Sequence, residues 1–363
     1  MTEFPRDLLP LLRCSSDAAA LKLTDEVRSG EIGIIQGRLR CTRCGLTYRI
    51  EDGIARMLRE EHLSHEDRHE IAIRDIEYGC TDGEPFVPPE ASWRSELSDL
   101  VEIPALLRML APLDGARVLE LGCGDGRLTM LMAQMGAQVI ALDFSINGLR
   151  RMAGWLSSGA APTVYRPKKC RTGDLRPFIG LVEADVSRFC VKPGSFQRAL
   201  SATPLDSREQ RMKMYSAVAD ALADDGLYVG SFEHDDLLRR LLGLPLARRY
   251  ERGGIYIEHF EDATIRRESA PFFLKQRFQC IRPRIPLAGR LPKSMAVRLL
   301  RAIDRVPYVR NFGEILLLVA GRPVRLPEEG SNREGSRLVK NTFRWYTRRL
   351  GKRPVWGSDE FVA

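Results

Sequence analysis

The sequence predicts an α/β protein with a doubly wound, mostly parallel sheet, preceded by a small N-terminal α+β domain. Two observations predict this fold. From residue 117 onward, short apolar runs typical of strands alternate with longer amphipathic runs typical of helices, which indicates a parallel sheet covered by helices. Before residue 61, closely spaced cysteines and short strand-like runs separated by glycines indicate a smaller unit of its own.

The individual elements follow in chain order. Strand-like runs occupy residues 31–35, 46–50, 117–121, 138–142, 180–184, 196–202 and 226–232. Helical runs occupy residues 127–135, 146–157 and 209–223. A last pair of strands is expected at residues 277–282 and 313–320.

These patterns divide the 363-residue chain into four parts. The predicted parts are the small domain at 1–60, a helical linker or cap at 61–115, the main α/β domain at 116–325 and a basic C-terminal tail at 326–363. Two insertions in the main domain, near residues 235–255 and 286–311, combine apolar residues with arginines and are expected to form caps.

Composition excludes several classes of protein. Hydrophobic residues make up 44% and charged residues 29%, which is ordinary for a globular protein and excludes a disordered chain. Eight cysteines are too sparse for a disulfide framework. No apolar run approaches the ~20 residues of a membrane-spanning helix, and the N-terminus lacks the layout of a signal peptide, so a cytoplasmic location is expected. The net charge of +8 permits an acidic partner without choosing one.

The loop after the first strand of the main domain carries the sharpest chemical signal. Residues 118–126 read VLELGCGDG, which places glycines at a turn where the backbone can approach a ligand closely. The spacing is G-x-G-x-G followed by Arg127, so the dinucleotide fingerprint G-x-G-x-x-G is not met. Carboxylates at Glu120 and Asp125 would repel a pyrophosphate and would suit a cationic amine.

Two further acids follow the next two predicted strands. Asp143 lies 23 residues after Glu120, at a strand end where an acid commonly accepts hydrogen bonds from two ribose hydroxyls. Asp185 follows the third strand and could accept from the exocyclic amine of adenine. Either acid alone is more simply interpreted as a helix cap. Three acids in register with three strand ends instead describe a ligand with amine, ribose and adenine, which is S-adenosylmethionine.

At these residues the sequence resembles a known family. Residues from about 100 to 321 are similar to class I S-adenosylmethionine-dependent methyltransferases, of the broad small-molecule type that includes quinone C-methyltransferases. The matching segments are VLELGCGDG at 118–126, ALDFS at 141–145, VEADV at 182–186 and the run from residue 195 to residue 234. The resemblance implies a Rossmann-like fold and a methyl transfer by in-line displacement.

The resemblance also implies the cofactor contacts. The residues expected to bind the methionine part, the ribose and the adenine are, in chain order, Glu120, Gly122, Cys123, Gly124, Asp143, Phe144, Asp185 and Val186. The Asn-Pro-Pro-Tyr motif often found in methyltransferases that act on amino groups of nucleic acid or glutamine is replaced by Ala202-Thr203-Pro204-Leu205. A nucleic-acid acceptor is therefore not indicated.

The acceptor side is less defined, and the expected acceptor is a small molecule or a lipid-linked molecule. A general base is needed only if the acceptor must lose a proton, and His234 and His259 are weak candidates. The arginine-rich insertions are most simply two packed amphipathic helices, while the alternative is a cap that allows peripheral membrane contact. A catalytically silent scaffold that binds the cofactor and acts through its N-terminal domain is the alternative function. The sequence does not indicate an oligomeric state.

The N-terminal segment resembles a second family. Residues 8–60 are similar to the zinc-ribbon-like domain that activates RNA and protein methyltransferases. Structural zinc takes four ligands in a closed tetrahedron, and here one C-x-x-C pair is intact while the other ends in an aspartate. The resemblance implies a site formed by Cys14, Asp17, Cys41 and Cys44; the alternative is a degenerate site that folds without metal. Residues 65–69 formally read H-E-x-x-H, but their charged neighbours favour a solvated helix face.

Overall fold

The structure is a computed structural model. It describes residues 2–79, 93–159, 163, 165–167, 170–189, 191–202, 205, 207–234, 243, 248–252, 255–283, 292–303 and 313–324. The predicted tail at 326–363 and much of both predicted insertions lie outside the described residues. Among the helices in the described part, none combines the length and the apolar character that crossing a bilayer requires.

The strands are numbered in chain order. Before the main domain they are β1 (Phe4–Pro5), β2 (Leu21–Ser29), β3 (Gly33–Cys41), β4 (Thr47–Glu51) and β5 (Ile54–Arg56). The later strands are β6 (Arg117–Leu121), β7 (Gln138–Asp143), β8 (Ile179–Glu183), β9 (Phe196–Ser201), β10 (Leu222–Glu233), β11 (Arg248–Arg252), β12 (Ile255–His259), β13 (Phe273–Pro283) and β14 (Gly313–Pro323).

The helices of the described residues are numbered in the same way. They are α1 (His65–Tyr78), α2 (Trp93–Leu110), α3 (Arg127–Gln134), α4 (Ile146–Ser158), α5 (Arg208–Ala221), α6 (Asp262–Ser269) and α7 (Lys293–Ile303). Short 3-10 turns lie at Arg6–Leu11, Glu60–His62 and Arg176–Phe178.

The main sheet confirms the predicted doubly wound architecture. Its strand order is β8-β7-β6-β9-β10-β14-β13, in which β8 to β10 are parallel neighbours and β14 is antiparallel to both strands beside it. Helices α2, α3 and α4 pack into a core on one face, while α5 and α6 pack on the other. The strands between these helices have near-continuous apolar runs, which are typical of parallel strands that are buried on both faces.

The N-terminal segment is not a separate sheet. Strands β1 to β5 continue the main sheet into a single sheet of twelve strands, joined where β5 pairs in parallel with β8. Ile54 lies opposite Leu181 and Arg56 opposite Glu183, and the Arg56 guanidinium forms an ion pair with the Glu183 carboxylate. The helical content of residues 2–64 is limited to 3-10 turns, so the segment is mainly a β structure.

The same segment covers a face of the main sheet. Parallel strands are usually joined by a crossover helix, but the described residues of the β8–β9 connection, 184–189 and 191–195, contain none. Leu11 and Leu12 pack beside Val191 in one core instead. The Lys192 N–H donates to the Leu11 carbonyl at 2.7 Å, which fixes this contact. The N-terminal segment therefore takes the place that a crossover helix would fill.

Helix α7 is the described part of the second predicted insertion. Ala296, Val297 and Leu300 are buried, and the helix packs on α2 and β13. Leu299 and Arg298 are exposed. The helix therefore agrees with the simpler interpretation of a packed amphipathic helix.

Candidate functional site

The glycine loop joins β6 to α3 at the carboxyl edge of the sheet. Gly122, Gly124 and Gly126 have φ values of 71°, 55° and 88°, which is the left-handed region that favours glycine. The N–H groups of Gly122 and Cys123 both donate to the Leu142 carbonyl, at 2.8 Å and 3.0 Å. These bonds tie the loop to the end of β7, so the turn is fixed before any ligand binds.

Asp143 lies at that end of β7 and orders the loop further. One carboxylate oxygen accepts from the Gly124 N–H at 2.7 Å and the other from the Ser145 N–H at 2.8 Å. Burial raises the pKa of Asp143, and the two N–H donors oppose this effect. Ser145 rather than Asp143 caps α4, by accepting from the Gly148 N–H. Each oxygen of a carboxylate accepts two bonds, so Asp143 retains capacity for ligand hydroxyls.

Glu120 is a deeply buried acid on β6. Its side chain is 2% exposed, and the Thr129 hydroxyl donates a hydrogen bond to its carboxylate. Burial raises the pKa of Glu120 to about 8, and burial also raises the pKa of Asp125 in the loop. A cationic group would stabilise carboxylates in such a place, whereas a phosphate would be repelled. The charge of the site therefore fits an amine-bearing ligand.

Asp185 follows β8 and completes the row of acids. It accepts from the Ser187 N–H at 2.7 Å, and the Arg188 guanidinium lies 3.8 Å from its other oxygen. Val186 is buried and Phe144 is half-buried, while burial raises the pKa of the Cys123 thiol well above its ordinary value. The predicted contacts thus all lie at the carboxyl edge of three adjacent strands, which extend over about 10 Å.

A contact that sequence reasoning missed covers the glycine loop. A Cβ on Gly124 would lie 2.5 Å from the Tyr78 hydroxyl oxygen, and one on Gly148 would lie 3.0 Å from the Tyr78 ring. The Arg151 guanidinium donates to the Tyr78 carbonyl at 2.8 Å. Tyr78 is half-buried, and burial raises its pKa. The side chain fits only because both neighbouring positions are glycine.

Tyr78 ends α1, which extends across the carboxyl edge between two other helices. The Asp75 carboxylate accepts from the Ser145 hydroxyl and from the Asn147 N–H at the start of α4. Near the other end of α1, the Asp67 carboxylate accepts from the Gln210 amide at 3.0 Å, at the start of α5. These polar contacts place α1 over the candidate pocket. No signal in its charged sequence predicts this placement.

The two candidate bases are His234, which directly follows β10, and His259, which ends β12. His234 is buried, and its Nδ1 is within hydrogen-bond distance of the Phe260 carbonyl. Since a carbonyl only accepts, Nδ1 carries the proton, which leaves the lone pair of the neutral ring on Nε2. His259 is also buried, and the neighbouring Arg211 guanidinium stacks on the Phe260 ring at 4.6 Å. Both histidines are therefore buried, His234 directly after β10 and His259 at the end of β12.

The N-terminal residues with metal-ligand character converge. One ligand atom from each of Cys14, Asp17, Cys41 and Cys44 lies within 4.8 Å of the others. The sulfurs of Cys14 and Cys44 are 3.6 Å apart, and the Cys41 sulfur is 3.3 Å from an Asp17 oxygen. A tetrahedral zinc with Zn–S bonds of about 2.3 Å separates its sulfur ligands by about 3.8 Å. The cluster can therefore hold a zinc ion.

Backbone groups support the same cluster. The backbone N–H groups of Arg43 and Cys44 each donate a hydrogen bond to the Cys41 sulfur, at 3.4 Å. Burial acts to raise the pKa of Cys41, but these donors outweigh burial and lower the pKa. The Ala19 N–H is the main cause that lowers the pKa of Asp17 to about 2. Donors of this kind favour the deprotonated forms that bind metal.

Comparisons with known proteins agree with both parts of this description. Residues 6–53 match the family described as Trm112p-like protein. Phosphoethanolamine N-methyltransferase 3 of Arabidopsis thaliana is 50% identical over 52 residues, which are 14% of this chain and 11% of that protein. Ubiquinone biosynthesis O-methyltransferase of Caulobacter sp. (strain K31) is 30% identical over 90 residues, which are 24% of this chain and 36% of that protein. The chain spans between about a tenth and about a third of these curated relatives.

The matches also include solved structures of low sequence identity. An S-adenosylmethionine-dependent methyltransferase from Mesorhizobium loti is 19% identical, with a TM-score of 0.39, over 60% of this chain and 95% of that one. A 1,6-didemethyltoxoflavin-N1-methyltransferase from Burkholderia thailandensis is 15% identical, with a TM-score of 0.42, over 77% of this chain and 97% of that one. The strand order and the glycine loop of this chain are those expected of the class I methyltransferase fold.

Proposed function

We propose that the protein is an S-adenosylmethionine-dependent methyltransferase whose acceptor is a small molecule or a lipid-linked molecule. The observation that supports this most is the row of acids at the ends of β6, β7 and β8, beside a glycine loop. Glu120 suits the amine of the cofactor, Asp143 its ribose hydroxyls and Asp185 its adenine amine. A phosphate is disfavoured at the loop, because it would gain nothing from acids placed there, whereas a cationic amine stabilises their ionised form.

The bound cofactor supplies a methyl group on a positively charged sulfonium. The contribution of this chain is to bind and orient the two reactants, since alignment provides much of the acceleration of an in-line displacement. The Gly122–Gly124 backbone allows close approach, and Tyr78 covers the loop from the solvent side. An acceptor that must lose a proton could transfer it to the Nε2 atom of His234. His259 is the second candidate for this role.

Two observations favour a small acceptor. The curated relatives are phosphoethanolamine and ubiquinone-biosynthesis methyltransferases by name, and both names imply low-molecular-weight or lipid-related acceptors. The arginine-rich segments and the exposed Arg298 of α7 support an anionic or lipid-linked molecule near a membrane surface. Binding of the protein to anionic liposomes, weakening as salt rises, is the expected sign of such contact.

We also propose that the N-terminal cluster binds one structural zinc ion through Cys14, Asp17, Cys41 and Cys44. A closed four-ligand site has no open position for a substrate, so its role is to stabilise the fold. The ligands connect the loop before β2 with the turn after β3. The zinc would thereby stabilise the part of the sheet that pairs with β8.

The experiment that tests the activity uses the full chain, tritium-labelled cofactor and an extract separated into aqueous and organic fractions. With the wild type, we expect tritium to appear in a small molecule of one fraction. With Asp143→Ala, we expect no labelled product in either fraction. Label in the organic fraction identifies the lipid-linked class, and label in the aqueous fraction the soluble class. A wild-type protein that binds the cofactor but transfers no label to either fraction would overturn the enzyme proposal in favour of the silent scaffold.

A further inference from the structure

A cavity of about 490 Å³ lies between the N-terminal segment and the main sheet. Its size is within the usual range for small-molecule sites. The main sheet contributes Leu142, Val182 and Asp185, at the ends of β7 and β8. The N-terminal segment contributes Met57 and His62, together with neighbouring residues of the first cysteine turn. The cavity therefore has walls from both parts of the chain.

The pairing of β5 with β8 explains why these walls meet. The two strands are parallel and in register, and the Met57 N–H donates to the Glu183 carbonyl at 2.8 Å. The chain after β5 consequently continues past the same sheet edge as the chain after β8. This brings the 3-10 turn Glu60–His62 to the level of Asp185, which lies two residues beyond β8. The cavity lies where these two stretches of chain leave their strands, and both contribute to its lining.

The lining combines apolar side chains with hydrogen-bonding groups. Apolar side chains, among them Met57, Leu142 and Phe189, provide surfaces against which a flat ring can pack. Adenine donates hydrogen bonds from its exocyclic amine and accepts them at its ring nitrogens. The Asp185 carboxylate is an acceptor, while Ser16 and His62 provide hydroxyl and imidazole groups that can donate. Both halves of the hydrogen-bonding pattern of adenine are thus available in one cavity.

We propose that the adenine of the cofactor binds in this cavity and that the N-terminal segment contacts it directly through Met57, Ser16 and His62. This inference rests on the proposed function. It assigns the zinc-ribbon-like segment a part in cofactor recognition beyond supporting the sheet. Ser16 lies between the predicted metal ligands Cys14 and Asp17, so the first cysteine turn would form a wall of the nucleoside site.

The test is calorimetric titration of the full chain with S-adenosylhomocysteine. Ser16→Trp places a large ring into the cavity from an exposed position, and it should weaken binding at least about tenfold, which corresponds to about 1.4 kcal/mol. The matched control is Arg43→Trp, because Arg43 holds the equivalent place in the second cysteine turn and is not part of the cavity lining. This control should bind like the wild type.

Two further variants separate the contact from simple obstruction. His62→Ala should weaken binding by about threefold to tenfold, as expected for the loss of one hydrogen bond. His62→Ala should weaken the binding of free adenosine by the same factor, because His62 is proposed to contact the adenosine part of the ligand. Met57→Ala should also weaken the binding of S-adenosylhomocysteine and of adenosine. Melting curves of all variants show whether each one is folded.

The outcomes distinguish the two levels of the proposal. A wild type that does not bind S-adenosylhomocysteine overturns the proposed function itself. A wild type that binds, together with Ser16→Trp, His62→Ala and Met57→Ala variants that are folded and bind equally well, overturns only the present inference. Weakened binding in Ser16→Trp and in Arg43→Trp alike would also contradict it, because the effect would not then depend on the cavity.

Discussion

Glu120 is an acid whose buried surroundings differ strongly from those of an exposed carboxyl group. Burial raises its pKa to about 8, against about 4.3 in an unfolded chain. Because the folded protein holds this proton more tightly, the contribution to stability is complete below about pH 4. It is lost progressively as the pH rises through about 8. The sequence predicted the acid at this position but not its burial, which depends on α3 packing over it.

We therefore expect a pH-dependent difference between the wild type and Glu120→Gln. The free energy of unfolding of the wild type, measured by urea denaturation, should fall relative to that of the variant between pH 5.5 and pH 8. The expected slope is at most about 1.4 kcal/mol per pH unit. All other groups titrate in both proteins and cancel in the difference. Parallel pH profiles would show that the Glu120 carboxyl titrates normally.

At the scale of elements, helix α1 could be predicted from the sequence, but its position in the fold could not. Its existence follows from a capping box at Ser64 and Asp67, but its place over the glycine loop depends on contacts with residues about 70 positions away. The formal H-E-x-x-H motif within it lies on the surface, with His65 and His69 exposed, as the charged neighbours indicate. Long-range polar contacts of this kind leave no periodic pattern in a sequence.

Asp75→Ala tests how α1 is held. The change removes the acceptor for Ser145 and Asn147, so hydrogen exchange of the α1 amides should become faster. The melting temperature should change little, because none of the side chains in this fully described helix is fully buried. Glu77→Ala is the control, since Glu77 pairs with Arg74 of the same helix. Equal exchange rates in the two variants would mean that Asp75 does not fix the helix.

The short strands of the N-terminal segment were only partly predictable. Strand β4 was expected to within one residue of its bounds, whereas the run expected at 31–35 covers only the first three residues of β3. Strand β2 is mostly exposed and polar, and β5 has three residues, so neither has a recognisable pattern. The resemblance to the zinc-ribbon-like family, in contrast, predicted which four residues converge, namely Cys14, Asp17, Cys41 and Cys44.

The zinc proposal has a direct test. Elemental analysis of the purified protein should find about one zinc per chain, and Cys41→Ser should lose the metal and lower the melting temperature. His65→Ala should retain the zinc and the melting temperature of the wild type, because the surface motif is not expected to bind zinc. A metal-free wild type whose melting curve matches that of Cys41→Ser would support the degenerate site.

At the scale of the whole molecule, one continuous sheet unites parts that the sequence suggests are separate. The apolar runs from residue 117 onward predicted the main strands well, because buried parallel strands leave a local signal. The junction of β5 with β8 is a tertiary feature without such a signal, as is the lack of a helix in the described residues between β8 and β9. Beyond β10, the described residues form the hairpin of β11 and β12, helices α6 and α7, and strands β13 and β14.

The shared core predicts a single unfolding transition. Leu12 is 1% exposed and belongs to the same core as the main sheet. Leu12→Ala should lower the free energy of unfolding by about 2 to 5 kcal/mol, with coincident transitions by fluorescence and circular dichroism. The exposed Leu274 gives the control Leu274→Ala, which should change stability by less than about 0.5 kcal/mol. Two separate transitions would show that the N-terminal segment folds on its own.

The central claim is that the acids at the ends of β6, β7 and β8 form a site for S-adenosylmethionine. Its most direct test is calorimetric titration of the purified full chain with the cofactor, beside Asp143→Ala and the exposed-acid control Asp174→Ala. We predict one site per chain in the wild type and in the control. We predict a loss of about 100-fold in affinity for Asp143→Ala, because hydrogen bonds to a charged acceptor are worth about 1.5 to 3 kcal/mol each. Absence of binding by the wild type, or equal binding by a folded Asp143→Ala variant, would contradict the account.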